Sequence, residues 1–225
     1  KKQKNLPLSH AIKIIMNSFY GVLGSTGCRF YDPRVCSSIT LRGHEIIQTS
    51  RDWIEQEGFS VIYGDTDSLF VWLDSSPTPD EADAIGRSLA GNLNGRWNEH
   101  LKTNYAIDSA LEIEFETHYL KFLMPTIRGS SVGSKKRYAG LVQSDEGEVL
   151  VFKGLESVRT DWTNLAKRFQ TELFKRIFAD QPFEEYIAEV TAAVLKGDCD
   201  VDLVYRKRLR RQLHEYTKTA PPHVK

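Results

Sequence analysis

The stretch Tyr63-Gly64-Asp65-Thr66-Asp67-Ser68 constrains this chain more than any other. It sets two carboxylates two residues apart, beside a glycine, between two apolar runs. Phe59–Tyr63 precedes it and Leu69–Leu73 follows it. Two short runs rich in Val, Ile, Phe and Trp around a Gly-Asp turn predict a β-hairpin. Side chains alternate across a strand, so Asp65 and Asp67 share a face if the extended conformation continues through the tip. Carboxylate oxygens suit Mg²⁺, which takes one or two of them together with waters and substrate phosphates. One reading is therefore a platform for metal-assisted phosphoryl chemistry. The other is an ordinary tight turn, because Asp and Gly are common turn residues and Asp-x-Asp alone is a weak signal.

The 225 residues suffice for one large domain or two small ones. A composition of 40% hydrophobic and 27% charged residues is that of a globular protein. No apolar run reaches membrane-spanning length, and no secretory leader is visible. The chain opens on Lys1 in basic, polar sequence without an initiator Met, which reads as part of a longer protein. Cys28, Cys36 and Cys199 lack metal-ligand spacing, and their odd number suits free thiols in a reducing compartment.

The zero net charge hides segregation. Residues 1–51 carry eight Lys/Arg and two acids, and residues 52–120 carry three Lys/Arg and fourteen acids. Residues 121–140 hold five basic residues and no acid, and residues 206–225 hold seven and one. Basic stretches flanking an acidic block suit a polyanion held around a metal centre, though solvated helix faces give similar runs.

Periodicity orders the remaining elements. Ser9 is expected to cap a helix reaching Leu23, with Ile12, Ile15, Met16 and Phe19 as its apolar stripe. Lys13, Asn17 and Tyr20 share a second face, about 120° round from that stripe. Asp32-Pro33 opens a second helix that ends near Gly58, with Asp as cap and Pro in the first turn. Thr78-Pro79-Asp80-Glu81 starts a third, running to Leu101. Leu111, Ile113 and Phe115 alternate with Glu112, Glu114 and Glu116, which predicts a half-buried strand with carboxylates on its other face. Lys135–Val142 and Glu148–Phe152 form a strand pair across the Ser144–Gly147 turn. Helical spacing prevails beyond Asp161, up to Gly197. A soft boundary between the mixed α and β part and the helical part falls near 155–160.

Three further motifs join the hairpin. Lys13-x-x-x-Asn17-Ser18-x-Tyr20-Gly21 offers a cation, an amide and an aromatic on one helix face, as a nucleoside triphosphate requires; a solvated Lys and an interface Tyr give the same pattern. Lys135-Lys136-Arg137-Tyr138 sets three cations beside an aromatic, and can track a phosphate backbone or form an exposed basic strand. Lys153-Gly154-Leu155-Glu156-x-x-Arg159-x-Asp161-Trp162 reads as a salt-bridged structural corner rather than a direct contact.

Together, and in this order, these motifs resemble the family B DNA-directed DNA polymerases over nearly the whole chain. Lys13–Gly21 looks like the fingers-helix motif, Tyr63–Ser68 like the catalytic motif of the palm, and Lys136-Arg137-Tyr138 like the motif at the palm–thumb junction. Lys153–Trp162 and Ala220–Val224 are similar to stretches entering and within the thumb. Asn17–Gly24 and the compact C-terminal part look most like a bacterial branch of the family. The resemblance implies an α+β fold: an antiparallel palm sheet with packed helices, a fingers helix at the N-terminus and a mainly helical thumb. It places the end of the fingers in residues 1–30, the palm in 31–157 and the start of the thumb in 158–225.

It also implies roles. Asp67 would ligate two Mg²⁺ ions, for which Mn²⁺ can substitute, and Asp65 would be a weaker ligand. Glu116 falls where the family carries a further palm carboxylate, or is a solvent-facing strand Glu. Lys13 and Asn17 would bind the deoxynucleoside triphosphate, and Tyr20 would pack against the nascent base pair. Thr66, Lys135, Lys136, Arg137 and Tyr138 would hold the primer–template DNA. A sliding clamp reached through the parent chain is a further partner; a membrane is not. The bacterial branch implies a cytoplasmic, nucleoid-associated setting.

The family's other metal-binding Asp precedes the fingers helix, and nothing here matches it. The chain alone is expected not to polymerise. Two rivals stand beside this reading: a two-metal nuclease using the same acids, and a non-catalytic module that only grips nucleic acid.

Overall fold

The computed structural model describes residues 6–225 except 75, 127, 128, 130–132, 135, 207, 208, 210, 211 and 217–225. Lys135 and Ala220–Val224 therefore lie outside the described residues. The chain is mixed helix and sheet, with two small antiparallel sheets among the described residues, and divides into two compact units, residues 1–115 and 116–225.

The first unit opens with α1 (Leu6–Leu23) and α2 (Pro33–Gln56). α1 begins before Ser9, with Pro7 in its first turn, where a missing N–H costs nothing. Asp32 caps α2 as expected, its carboxylate accepting the Arg34 backbone N–H at 2.9 Å. The hairpin follows as β1 (Ser60–Asp65) and β2 (Ser68–Trp72), antiparallel, with a bulge between Val61 and Tyr63. α3 (Pro79–Tyr105) starts on a capping box in which Thr78 and Glu81 satisfy each other's backbone N–H groups.

The core of this unit joins the second half of α2 to α3. Trp97 is 1% exposed, its indole N–H donates to the buried Ser50 hydroxyl at 2.9 Å, and Ile54, Ala82, Leu89 and Leu93 are buried with it. The Trp53 ring lies 4.9 Å from Trp97 and carries the Arg96 guanidinium over its face at 4.5 Å. In contrast, Ile12, Ile15, Met16 and Phe19 are all exposed, so the apolar stripe of α1 is uncovered by the described residues.

The strand expected over Leu111–Phe115 is absent. Its alternation of half-buried and exposed residues is present, but the segment pairs with no strand. It lies along α3 instead. The Asn94 side chain accepts the Ile113 N–H at 2.9 Å and donates to the Ile113 carbonyl at 2.8 Å, as a neighbouring strand would. Four residues along the helix, Asn98 accepts the Ser109 N–H at 3.4 Å. Phe115 fills the space over Gly86, where a Cβ would stand 2.2 Å from its ring.

In the second unit, β3 (Lys121–Leu123), β4 (Tyr138–Ser144) and β5 (Gly147–Lys153) form an antiparallel sheet with β4 central. β4 and β5 are the expected pair; the three-residue β3 is too short to show a period. Ala139 and Leu141 turn one face of β4 to α4 (Asn164–Phe178), where Leu155, Phe174 and Phe178 complete the core. Tyr138 and Gly140 turn the other face to Tyr119 and Phe122. The ammonium of Lys121 bonds the Phe178 carbonyl at 2.6 Å, fastening the end of α4 to β3. α5 (Glu184–Lys196) packs on α4 through stacked Tyr186 and Phe169 rings 5.5 Å apart, and ends at Gly197 with φ 87°.

Asn94→Ala leaves two backbone groups of Ile113 unpaired. The expected cost is about 1–3 kcal/mol, confined to the 109–115 segment and read as faster hydrogen exchange at the Ile113 amide.

Candidate functional site

The acid-bearing tip is a two-residue turn. Asp65 pairs with Ser68, leaving Thr66 and Asp67 outside the ladder. Thr66 has φ 53°, a left-handed conformation that is an outlier for a β-branched residue. The Asp67 N–H donates to the Asp65 carbonyl at 2.6 Å, an i to i+2 bond of the γ-turn type. The extended conformation therefore stops at Asp65, and the alternation argument for a shared face does not carry across Thr66. Asp65 is half-buried, on the face it shares with Val61 and Tyr63, and its carboxylate accepts the Thr66 hydroxyl at 3.0 Å. Asp67 stands exposed at the tip. Among the described residues, no three His, Cys, Asp or Glu side chains are grouped closely enough to hold a metal ion.

Lys13, Asn17 and Tyr20 lie on α1 and are all exposed. The Tyr20 hydroxyl is 2.9 Å from the Thr40 hydroxyl on α2. Thr40 gives its own proton to the Cys36 carbonyl at 3.0 Å, so Tyr20 is the donor. Gly24 lets the two helices approach here: a Cβ would meet the Cys36 sulfur at 3.4 Å. Thr40, and the part Cys36 plays here, were missed in the sequence, because the joint between two helices has no period of its own.

The second unit holds the remaining candidates. Glu116 is exposed and lies outside the described strands. Lys136 is exposed, with φ 62°. Tyr138, only 9% exposed, is a packing residue among Tyr119 and Phe122, with ring centroids 6.2 and 5.1 Å away. Arg137 forms an ion pair with Glu156. The salt-bridged corner expected over Lys153–Trp162 is present, since Arg159 also pairs with Asp161 at 2.9 Å.

Residues 8–225 match the family described as DNA polymerase family B. The chain is 56% identical over all 225 residues to DNA polymerase II of Escherichia coli (strain K12), covering 29% of that protein. It is 32% identical over 219 residues to the DNA polymerase of Pyrococcus glycovorans, covering 95% of this chain and 25% of that one. This chain belongs to DNA polymerase family B. It spans less than a third of the length of these curated relatives. The likeness of Asn17–Gly24 to a bacterial branch is met by the bacterial relative. The DNA polymerase alpha catalytic subunit of Mus musculus matches at 28% over 228 residues, covering 95% of this chain and 14% of the subunit.

Two predictions follow from the geometry of this family B chain. Thr66→Asn relieves the left-handed strain, because Asn tolerates that conformation. The hairpin is expected to gain up to about 1 kcal/mol, seen as slower amide exchange across β1 and β2. At Glu156, burial pushes the carboxyl up, but bonds from the Gln170 amide, a backbone N–H and the Arg137 guanidinium hold it below its ordinary value of 4.5. A depressed folded-state value stabilises the fold above about pH 4.5, and that contribution is lost as pH falls through the folded value. The melting-temperature difference between the native chain and Glu156→Gln is therefore expected to be full at neutral pH and to shrink below pH 4.5.

Proposed function

We propose that this chain is the part of a bacterial DNA polymerase that carries the end of the fingers (residues 1–30), the palm (31–157) and the start of the thumb (158–225). The parent protein adds deoxynucleotides to a primer 3′-hydroxyl, directed by a template, in a cytoplasmic, nucleoid-associated setting. The observation that carries this reading is the match along the whole chain, with the two-acid hairpin tip at its centre.

The tip fits a hard divalent cation in its chemistry, since an exposed and a half-buried carboxylate stand on either side of one turn residue. Glu116 falls where the family carries a further palm carboxylate. Asp67, with Asp65 as a weaker ligand, would hold two Mg²⁺ or Mn²⁺ ions. Once bound, these supply a deprotonated primer hydroxyl and charge neutralisation at the leaving pyrophosphate. Lys13 neutralises triphosphate charge, and Asn17 hydrogen-bonds it. Tyr20 presents its ring to the nascent base pair while Thr40 holds its hydroxyl. Lys135, Lys136 and Arg137 grip the primer–template backbone together with Tyr138, and Thr66 lies near the primer end. Preorganised cations of this kind stabilise the charge that develops in phosphoryl transfer. A sliding clamp would be engaged through other parts of the parent protein, and extension is expected only from that parent.

The test is primer extension by the full parent protein with Mg²⁺ and four deoxynucleotides, beside its Asp67→Asn variant. Extension by the parent, reduced in the variant by about 10²-fold or more, is the expected result. Equal extension by both would remove Asp67 from the site. No extension by either would favour a module that only binds nucleic acid.

A further inference from the structure

The corner around Glu156 binds three elements together through one carboxylate. One oxygen accepts Nη2 of Arg137, just ahead of β4. The other accepts the Gln170 amide of α4 at 2.8 Å. Gln170 cannot turn over, because its carbonyl oxygen accepts the Ser157 backbone N–H at 2.7 Å. The Glu156 side chain is 17% exposed, and the Arg137 side chain that it holds is 42% exposed.

The backbone beside this pair is equally constrained. Lys136 and Gly154 both have φ 62°. A Cβ on Gly154 would stand 2.1 Å from the Lys136 carbonyl oxygen and 3.4 Å from Cγ of Arg137. The left-handed turn at Lys136 therefore exists only because position 154 carries no side chain. Arg137 Nε is buried with no partner among the described residues. A pair selected only for stability gains nothing from an orphaned donor, whereas a guanidinium held in one direction tolerates it. Glu156 engages Nη2 of a planar fork whose geometry suits a phosphate oxygen.

We propose that Glu156 is a positioning residue for DNA binding: it fixes the Arg137 guanidinium so that Lys136 and Arg137 present their cations to the sugar–phosphate backbone in one geometry. This deepens the polymerase reading and rests on it. A bare Arg keeps its charge but must be ordered at each encounter. The Glu156 carboxylate, though it offsets part of that charge, removes the ordering cost before DNA arrives.

The test is a double-mutant cycle in the full parent protein, with Arg137→Ala, Glu156→Ala and the pair. The readouts are primer–template Kd by fluorescence anisotropy and steady-state primer extension. Arg137→Ala is expected to weaken binding and to lower the salt slope of log K by about one. Glu156→Ala is expected to raise Kd and the KM for primer–template by about fivefold to tenfold, with a smaller change in kcat. In the Arg137→Ala background it should cost nothing further. The isosteric Glu156→Gln guards against loss of folding; its loss should be smaller and should also vanish without Arg137. An equal loss from Glu156→Ala in both backgrounds would overturn the proposal and leave a structural corner. So would an unchanged Kd in Glu156→Ala or in Arg137→Ala. Failure of the polymerase reading is distinguishable, because it appears as equal extension by the parent and Asp67→Asn.

Discussion

Trp97 holds the first unit together. A large indole at 1% exposure must find a partner for its N–H, and Ser50 on α2 supplies it at 2.9 Å. That one bond sets which face of α2 meets α3, and Trp53 with the Arg96 guanidinium over it closes the rim. The hairpin then packs on α2. The direction in which Asp65 and Asp67 leave the protein thus depends on packing far from either carboxylate. The first half of α2 and all of α1 stand outside this core.

Two of the non-glycine residues with positive φ, Thr66 and Lys136, are also candidate DNA contacts. Left-handed backbone at a β-branched or long side chain persists only where the surroundings over-determine it. At Thr66 the surroundings are the two-residue turn, the bond from Asp67 N–H to the Asp65 carbonyl and the hydroxyl bond to Asp65. At Lys136 they are the missing Cβ of Gly154 and the Arg137–Glu156 pair beside it. In each case the strain turns a polar side chain out of the path that a regular strand would give it. The bulge at Ile62 in β1 works in the same sense, because an unpaired residue twists the ladder just below the tip.

Much of this was legible because it is written in local chemistry. The hairpin, the Asp32 cap, the Thr78–Glu81 box and the β4–β5 pair each rest on residues within a few positions of one another. The failures share a different cause. Leu111–Phe115 has the period of a half-buried strand, but the partner for its backbone is the side chain of Asn94, nineteen residues away. Alternation reports that one face is covered, and it says nothing about what pairs with the edge. The alternation argument for Asp65 and Asp67 required extended backbone through the tip, and the left-handed Thr66 breaks that condition. Tyr138 was read beside three cations as a DNA contact; the packing of its ring against Tyr119 and Phe122 was not legible, because those residues stand nineteen and sixteen positions away. Glu156 was visible as a salt-bridge partner. Its tie to Gln170 required the turn between β5 and α4 to be known.

The same distinction governs α1. Its stripe of Ile12, Ile15, Met16 and Phe19 was read correctly as amphipathic, and the structure leaves it exposed. An apolar stripe of this length is a surface on which further chain or a partner can pack. Covering that stripe would leave the Lys13–Asn17–Tyr20 face, about 120° round the helix, for a ligand. The Tyr20 hydroxyl already ties the C-terminal end of that face to Thr40 on α2. A helix that rolled to bring Lys13 elsewhere would have to break that bond and open the close approach at Gly24. The joint between α1 and α2 therefore fixes the roll of α1, and with it the direction that Lys13 and Asn17 face.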